Sequence, residues 1–162
     1  MATLTPEQLA TVKTDILASA DMNTLPANSD GAFAIAALYN KPASPTYFVW
    51  RSSVPMSEIM RNGFDWTLVD NLTIGKARIW EWMSRLGTFN PSKTNIRAGI
   101  DAAWQGTAAD LAVRAVVYTH CKRLATKAEK ILATGTGSDA SPAVTGYEGR
   151  LNYQDVERAR LA

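Results

Sequence analysis

Apolar residues recur every three or four positions along most of this chain, the spacing that places them on one face of an α-helix. The longest such run lies in residues 107–134, where the apolar positions are Val113, Val117, Cys121, Leu124, Ala128 and Ile131. Thr107 followed by Asp110 resembles a capping box, which starts helices. The pattern therefore predicts one long helix from Thr107 to about Thr134.

Start and stop signals divide the rest of the chain into shorter helices. Thr5, Pro6 and Gln8 supply an N-cap, a proline at the first helical position and a capping-box partner. Further apolar runs predict helices over residues 31–39, 56–62, 73–86 and 91–104, and we expect Trp80, Trp82 and Trp104 to lie in the core. Residues 46–50 alone favour a strand, and we expect them to be extended without a sheet. The predicted fold class is all-α, a small helical bundle.

The last part of the chain has a different composition. Residues 135–142 (GTGSDASP) are rich in glycine and small polar residues, which favour loops. Beyond them the apolar anchors are Tyr147, Leu151, Tyr153 and Val156. We therefore predict a helical body over residues 1–133 and an extended C-terminal arm over 134–162, whose anchors dock on neighbouring chains.

Composition adds few constraints. Of the 162 residues, 46% are apolar and 20% are charged, as in ordinary globular proteins. The formal charge of +2 is too small to imply nucleic-acid binding by itself. With one cysteine the chain forms no internal disulfide. The apolar run 32–39 is far shorter than a membrane span, so we expect no membrane partner and synthesis in a cytoplasm.

His120 and Cys121 are the only residues of their types and they are adjacent. Adjacent helical residues point about 100° apart, so the two side chains diverge and do not make a nucleophile–base pair. Cys121 also falls on the apolar stripe of the predicted helix. The carboxylates are scattered, and one His with one Cys is a poor metal-ligand set. We expect no enzyme activity, cofactor or metal.

Basic residues are concentrated in the predicted long helix. Lys122, Arg123 and Lys130 lie away from its apolar stripe. Such a face could contact DNA phosphates. It is also the ordinary solvated face of a helix near its C-terminus, where cations interact favourably with the helix dipole. Both interpretations stay open, and the second is favoured because no recognition motif accompanies the charge.

Three blocks of sequence resemble a family of small proteins encoded by tailed bacteriophages and prophages. The first block comprises residues 29–40 (SDGAFAIAALYN), 42–45 (PASP) and 49–51 (VWR). The second comprises residues 63–66 (GFDW), 75–80 (GKARIW) and 90–93 (NPSK). The third comprises residues 120–123 (HCKR), 128–130 (AEK), 135–143 (GTGSDASPA) and 153–156 (YQDV). The resemblance covers nearly the whole chain and brings no catalytic residues with it.

The resemblance implies a virion-assembly protein. By analogy of layout we expect a head-to-tail adaptor or head-completion subunit of the phage neck, in a cyclic homo-oligomer. Its expected partners are copies of itself and portal, neck or tail proteins, with weak contact to packaged DNA. The alternative is a small DNA-binding or assembly factor that uses the basic helix 107–133.

Overall fold

The computed structural model describes residues 3–162 and is mostly helical. Helices form 55% of the described residues. In chain order the α-helices are α1 (Pro6–Ala18), α2 (Ala20–Asn23), α3 (Ser29–Tyr39), α4 (Met56–Arg61), α5 (Ile74–Arg85), α6 (Thr94–Ala103), α7 (Ala108–Cys121), α8 (Lys127–Ile131) and α9 (Tyr153–Leu161), with a 3-10 turn at Trp66–Val69. The prediction of a mostly helical chain is confirmed.

Short strands accompany the helices. They are β1 (Phe48–Trp50), β2 (Val54–Pro55), β3 (Thr88–Phe89), β4 (Lys122–Leu124), β5 (Ala133–Thr134) and β6 (Val144–Thr145). They form the pairs β1–β4, β2–β3 and β5–β6. The fold is therefore not strictly all-α, and a small bundle is not confirmed. Since β1 pairs with β4, the expectation that residues 46–50 are extended without a sheet is wrong. The partner was not predicted because β4 lies in a segment predicted to be helical.

The chain forms two compact units, which differ from the predicted division after residue 133. Unit 1 contains the described residues up to Val49 together with Leu124–Ala162, and unit 2 contains Trp50–Arg123. Unit 1 is thus discontinuous in sequence, and the predicted arm is part of it.

Unit 1 packs α1, α3, α8 and α9 around one apolar core. Its fully buried side chains include Val12, Met22, Ile35 and Val156. The predicted capping box of α1 is confirmed, since Thr5 and Gln8 exchange both hydrogen bonds. The buried Tyr39 hydroxyl donates to Asp15 Oδ2 at 2.9 Å, and burial raises the pKa of this phenol.

The predicted extended arm is wrong as a description of residues 134–162. After the β5–β6 hairpin, Asn152 and Asp155 form a capping box that starts α9. Leu151 and Val156 are buried in the core of unit 1. The arm folds back because these apolar side chains have a core within reach of their own chain.

Polar contacts fix the returning segment in place. The side chain of Asn40 donates to Leu151 O (2.8 Å) and accepts from Leu151 N (3.0 Å). The Arg160 guanidinium donates to Pro26 O (2.8 Å) and Leu25 O (3.1 Å). Because backbone groups on both sides are satisfied, residues 151–160 belong to the fold of unit 1.

Unit 2 has a core built around aromatic rings. Phe64 stacks on Trp80 with ring centroids 5.5 Å apart, and Trp104 meets both rings edge-on. Trp80 and Trp104 are buried, as predicted, whereas Trp82 is 64% exposed and its predicted place in the core is wrong. Trp82 lies two residues after Trp80, so it points to the opposite side of α5.

The predicted helix 107–134 is interrupted at Cys121. Its start is correct, since Thr107 and Asp110 form the expected capping box of α7. The Cys121 carbonyl then accepts a hydrogen bond from Arg51 N (2.9 Å), and Lys122–Leu124 continues as β4. Thr126 and Glu129 form a new capping box that starts α8. The continuous basic helix 107–133 therefore does not exist in this fold.

Candidate functional site

The tail residues predicted to dock on neighbours are used inside their own unit. Tyr147, Leu151 and Val156 are buried in the core of unit 1. Tyr153 is half-buried and stacks on Phe33, with ring centroids 4.3 Å apart. The structure brings the four together as internal packing and leaves little of them for another chain.

The three predicted basic contact residues do not share one helix face. Lys122 and Arg123 are half-buried in β4 and belong to unit 2. Lys130 belongs to α8 in unit 1, where its ammonium donates to Ser44 O (3.0 Å) and lies 5.8 Å from the centre of the Tyr47 ring.

Lys130 lines a lysine-containing cleft of unit 1. The cleft has a volume of about 430 Å³, and its charged lining residues are Asp15, Asp21, Lys41, Lys127 and Lys130. The ammonium of Lys127 lies 3.4 Å from Asp15 Oδ2. Because the carboxylates offset most of the ammonium charge, the cleft is only weakly cationic.

His120 and Cys121 have separate surroundings. Cys121 is fully buried on the apolar side of α7, as predicted, and burial raises the pKa of its thiol to about 12. The His120 Nε2 lies 3.1 Å from Asn62 O, and since a carbonyl only accepts, this nitrogen donates. The thiol is therefore kept protonated, which is the opposite of an activated nucleophile.

An ion-pair cluster joins α4 to the end of α7 within unit 2. Arg51 donates to both carboxylate oxygens of Glu58, at 2.5 Å and 3.0 Å, and also to His120 O at 2.9 Å. The Nδ1 of His120 lies 3.6 Å from Glu58 Oε1. The hydrogen bonds from Arg51 lower the pKa of Glu58. The charged and polar groups of Arg51, Glu58 and His120 are thus paired with one another, which is typical of a cluster that stabilises the fold.

Residues 3–162 contain neither a candidate metal-binding cluster nor a helix suited to crossing a membrane. No three His, Cys, Asp or Glu side chains in that part of the chain are grouped so that they could hold a metal ion. None of the helices described there combines the length and apolarity needed to cross a membrane.

The most unusual surface of unit 2 is the outward side of α5. Ile74 is 80% exposed and Trp82 64%, and Leu86, directly after the helix, is 60% exposed. With Arg78 these residues are spaced by four, so they follow one another along the same side of the helix. We call Ile74, Arg78, Trp82 and Leu86 the α5 ridge. Contiguous exposed apolar patches larger than a few hundred Å² mark interaction sites, so this stripe is a candidate interaction surface.

A shallow apolar groove lies elsewhere on unit 2. It has a volume of about 340 Å³ between the 3-10 turn and α7. Its lining residues are Gly63, Asp65, Leu68, Ala109, Ala112, Val113 and Val116, and we call it the α7 groove. Trp66 in the 3-10 turn and Leu111 in α7 are also exposed large apolar residues of these two elements.

The sequence did contain a signal for the ridge. The spacing by four of Ile74, Arg78, Trp82 and Leu86 forms a second stripe on α5, opposite Trp80 and Met83. A helix with apolar residues on both sides buries one side in its own core and leaves the other for a different contact.

Comparison with known proteins gives no relative: no family model, curated protein or solved structure matches this chain.

Proposed function

We propose that this chain is a structural virion protein of a tailed phage, a head-to-tail connector subunit that assembles into a ring with copies of itself in the neck. The observation that carries the proposal is the α5 ridge. Large apolar side chains on one outward helix face are stabilised when another protein covers them.

The family resemblance of the sequence supports the phage setting. The surroundings of Cys121, His120 and Glu58 support a non-enzymatic role, because each polar group is engaged in packing or in hydrogen bonds. A connector needs such a stable body with adhesive surfaces, and it needs no reaction centre.

The interaction surface in this proposal differs from the one expected from sequence. Tyr147, Leu151 and Val156 stabilise unit 1, so the proposed contacts to neighbouring subunits come from unit 2. The ridge replaces the tail as the adhesive element.

The test is to delete the gene in the phage and supply the protein from a plasmid. We expect the deletion to yield DNA-filled heads and free tails in electron micrographs, and the plasmid to restore joined particles. Mass spectrometry of purified wild-type virions should detect the chain at several copies per particle.

A matched pair of plasmid variants links this test to the ridge. Trp82→Glu should fail to restore joined particles, whereas Leu161→Glu, at an exposed position of unit 1, should restore them. Normal particles from the deletion phage, or virions that lack the chain, would overturn the proposal.

A further inference from the structure

We propose that unit 2 carries both halves of the subunit–subunit contact, so that the α5 ridge of one copy docks in the α7 groove of the next copy. This inference rests on the proposed ring-forming function and names the surfaces that would make the ring. The partner is a second copy of this chain.

The ridge has the composition of an interface anchor. Trp82 lies in the middle of the stripe with Ile74 and Leu86 at its ends. Tryptophan and arginine are among the residues enriched at the energetic centre of protein interfaces. Covering this stripe removes three large apolar side chains from water.

Arg78 is the charged member of the ridge and has no partner within the described part of the chain. The other exposed cation of the helix, Arg85, pairs with Glu81 at 2.5 Å. Arg78 therefore differs from its neighbour in leaving its guanidinium free for a group on another molecule.

Gly75 leaves space beside the ridge. It lies in the first turn of α5, and a Cβ added there would meet no atom of the described chain within 4 Å. Glycine weakens a helix relative to alanine, and no neighbour within residues 3–162 requires it here. The backbone at Gly75 is therefore open to close approach by another subunit.

The groove matches the ridge in polarity and charge, because its lining is mostly apolar and carries one carboxylate. Its lining residues Ala109 and Ala112 are small and apolar, and about 340 Å³ is space enough for an aromatic ring. Asp65 is the charged residue in its lining. A Trp82 side chain in the groove would thus lie near a carboxylate that can pair with Arg78.

Ridge and groove consist of different residues. In the proposed ring each pair of neighbours uses one ridge and one groove and does not exchange them reciprocally, so the contact is heterologous. A contact of this kind leaves one ridge and one groove open at the ends of any short oligomer, and it closes only as a ring or continues as a filament. A two-fold contact of ridge against ridge would instead stop at a dimer.

The first experiment measures self-association of the full-length protein by sedimentation velocity up to about 1 mM, the limit of weak binding. We expect species larger than dimers. Trp82→Ala and Arg78→Glu should each weaken association, the first by about 30-fold or more, as for an interface hot spot. The matched charge control is Arg150→Glu at an exposed position of unit 1, and it should leave association unchanged.

The second experiment blocks the groove. Ala112→Arg places a long cation in it, and Ala115→Arg adds the same side chain at an exposed position of α7 outside the lining. We expect Ala112→Arg alone to prevent association and Ala115→Arg to permit it. Circular dichroism spectra should match wild type for both variants.

Mixing two variants that do not self-associate distinguishes the ridge-in-groove contact from a two-fold contact of ridge against ridge. Trp82→Ala retains a groove and Ala112→Arg retains a ridge, so an equimolar mixture should form heterodimers that grow no further. A mixture that stays monomeric overturns the proposal, as does a wild-type protein that is monomeric at every concentration. A dimer sensitive to Trp82→Ala but not to Ala112→Arg establishes the two-fold contact instead.

These results are separable from the proposed function. If the chain is present in virions and joins heads to tails while Trp82→Ala and Ala112→Arg both complement the deletion, the connector role stands and this interface is wrong. If the chain is absent from virions but the mixture of Trp82→Ala and Ala112→Arg still forms heterodimers that grow no further, the interface is correct and the connector role is wrong.

Discussion

At the scale of single residues, the best-defined interaction is the ion pair of Arg51 with Glu58. Both terminal nitrogens of the guanidinium, Nη1 and Nη2, donate to the carboxylate, at 2.5 Å and 3.0 Å, and both side chains are about two-thirds or more buried. Glu58→Gln should lower the free energy of unfolding at pH 7 by about 1 kcal/mol, as expected for a partly buried charged hydrogen bond.

The pH dependence of this effect follows from the lowered pKa of Glu58. A carboxyl whose pKa is lower in the folded state contributes stability above its unfolded pKa and loses it as pH falls through the folded pKa. The difference between wild type and Glu58→Gln should therefore shrink as the pH falls below the ordinary pKa of a glutamate, about 4.5. Urea titrations at several pH values measure it.

Glu81→Gln is the matched control, because Glu81 forms an exposed pair with Arg85 in which both side chains are more than half exposed. Its effect should be a few tenths of a kcal/mol at most. A loss at Glu58 that is independent of pH, or equal losses for the two variants, would contradict the assigned role of the Arg51 contact.

At the scale of elements, α9 is expected to be essential to unit 1. A stop after Ala133 removes Tyr147, Leu151 and Val156 from the core. Burial of such side chains contributes about 1.5–3 kcal/mol each, and their sum is comparable to the whole stability of a typical domain. We expect the truncated chain to lose hydrogen-exchange protection in α1 and α3.

Unit 2 provides an internal control for this truncation. Its apolar core includes no residue of the tail, so amides of α5 and α7 should stay protected. A shorter truncation after Arg160, which removes the exposed Leu161 and the final alanine, should have little effect. Retained protection of α1 and α3 in the chain that ends at Ala133 would restore the interpretation of the tail as a separate arm.

The same elements show which parts of the fold are predictable from sequence. The capping boxes at Thr5 and Thr107 lie before long amphipathic helices, and both helix starts were predicted correctly. The boxes that begin at Thr126 and Asn152 were missed. The first lies inside a continuous helical stripe, and the second follows a glycine-rich run, so local pattern alone favoured the wrong structure at both places.

Long-range contacts account for these failures. The strand at 48–50 pairs with 122–124, and Val49 also forms a bridge with Ala143; no local pattern reveals partners about 70 or more residues away. The sequence does show two apolar faces on α5, but periodicity does not say which face meets the core, so the outward position of Trp82 was not predicted.

At the scale of the whole molecule, the distribution of charge bears on DNA. The formal charge is only +2, and two of the lysines in the cleft of unit 1 are engaged: Lys127 with Asp15 at 3.4 Å and Lys130 with Ser44 O at 3.0 Å. Because the predicted helix 107–133 is interrupted, Lys122 and Arg123 lie on β4 and Lys130 lies on α8. A strong DNA-binding surface would need several cations free along one face.

We therefore expect the purified protein to bind a short labelled DNA duplex weakly and to lose that binding at about 150 mM salt, as non-specific contacts do. Fluorescence anisotropy over a salt series measures the slope of log K against log salt, which is near −0.9 for each phosphate contacted. A slope smaller in magnitude than about −3 corresponds to at most roughly three phosphate contacts. Such weak binding is compatible with a ring through which DNA passes. Lys130→Gln should change that slope by less than about 0.9, the value for one phosphate contact. Sub-micromolar binding that survives about 150 mM salt, with a steep slope that Lys130→Gln reduces, would instead identify a DNA-binding protein and remove the basis of the connector proposal.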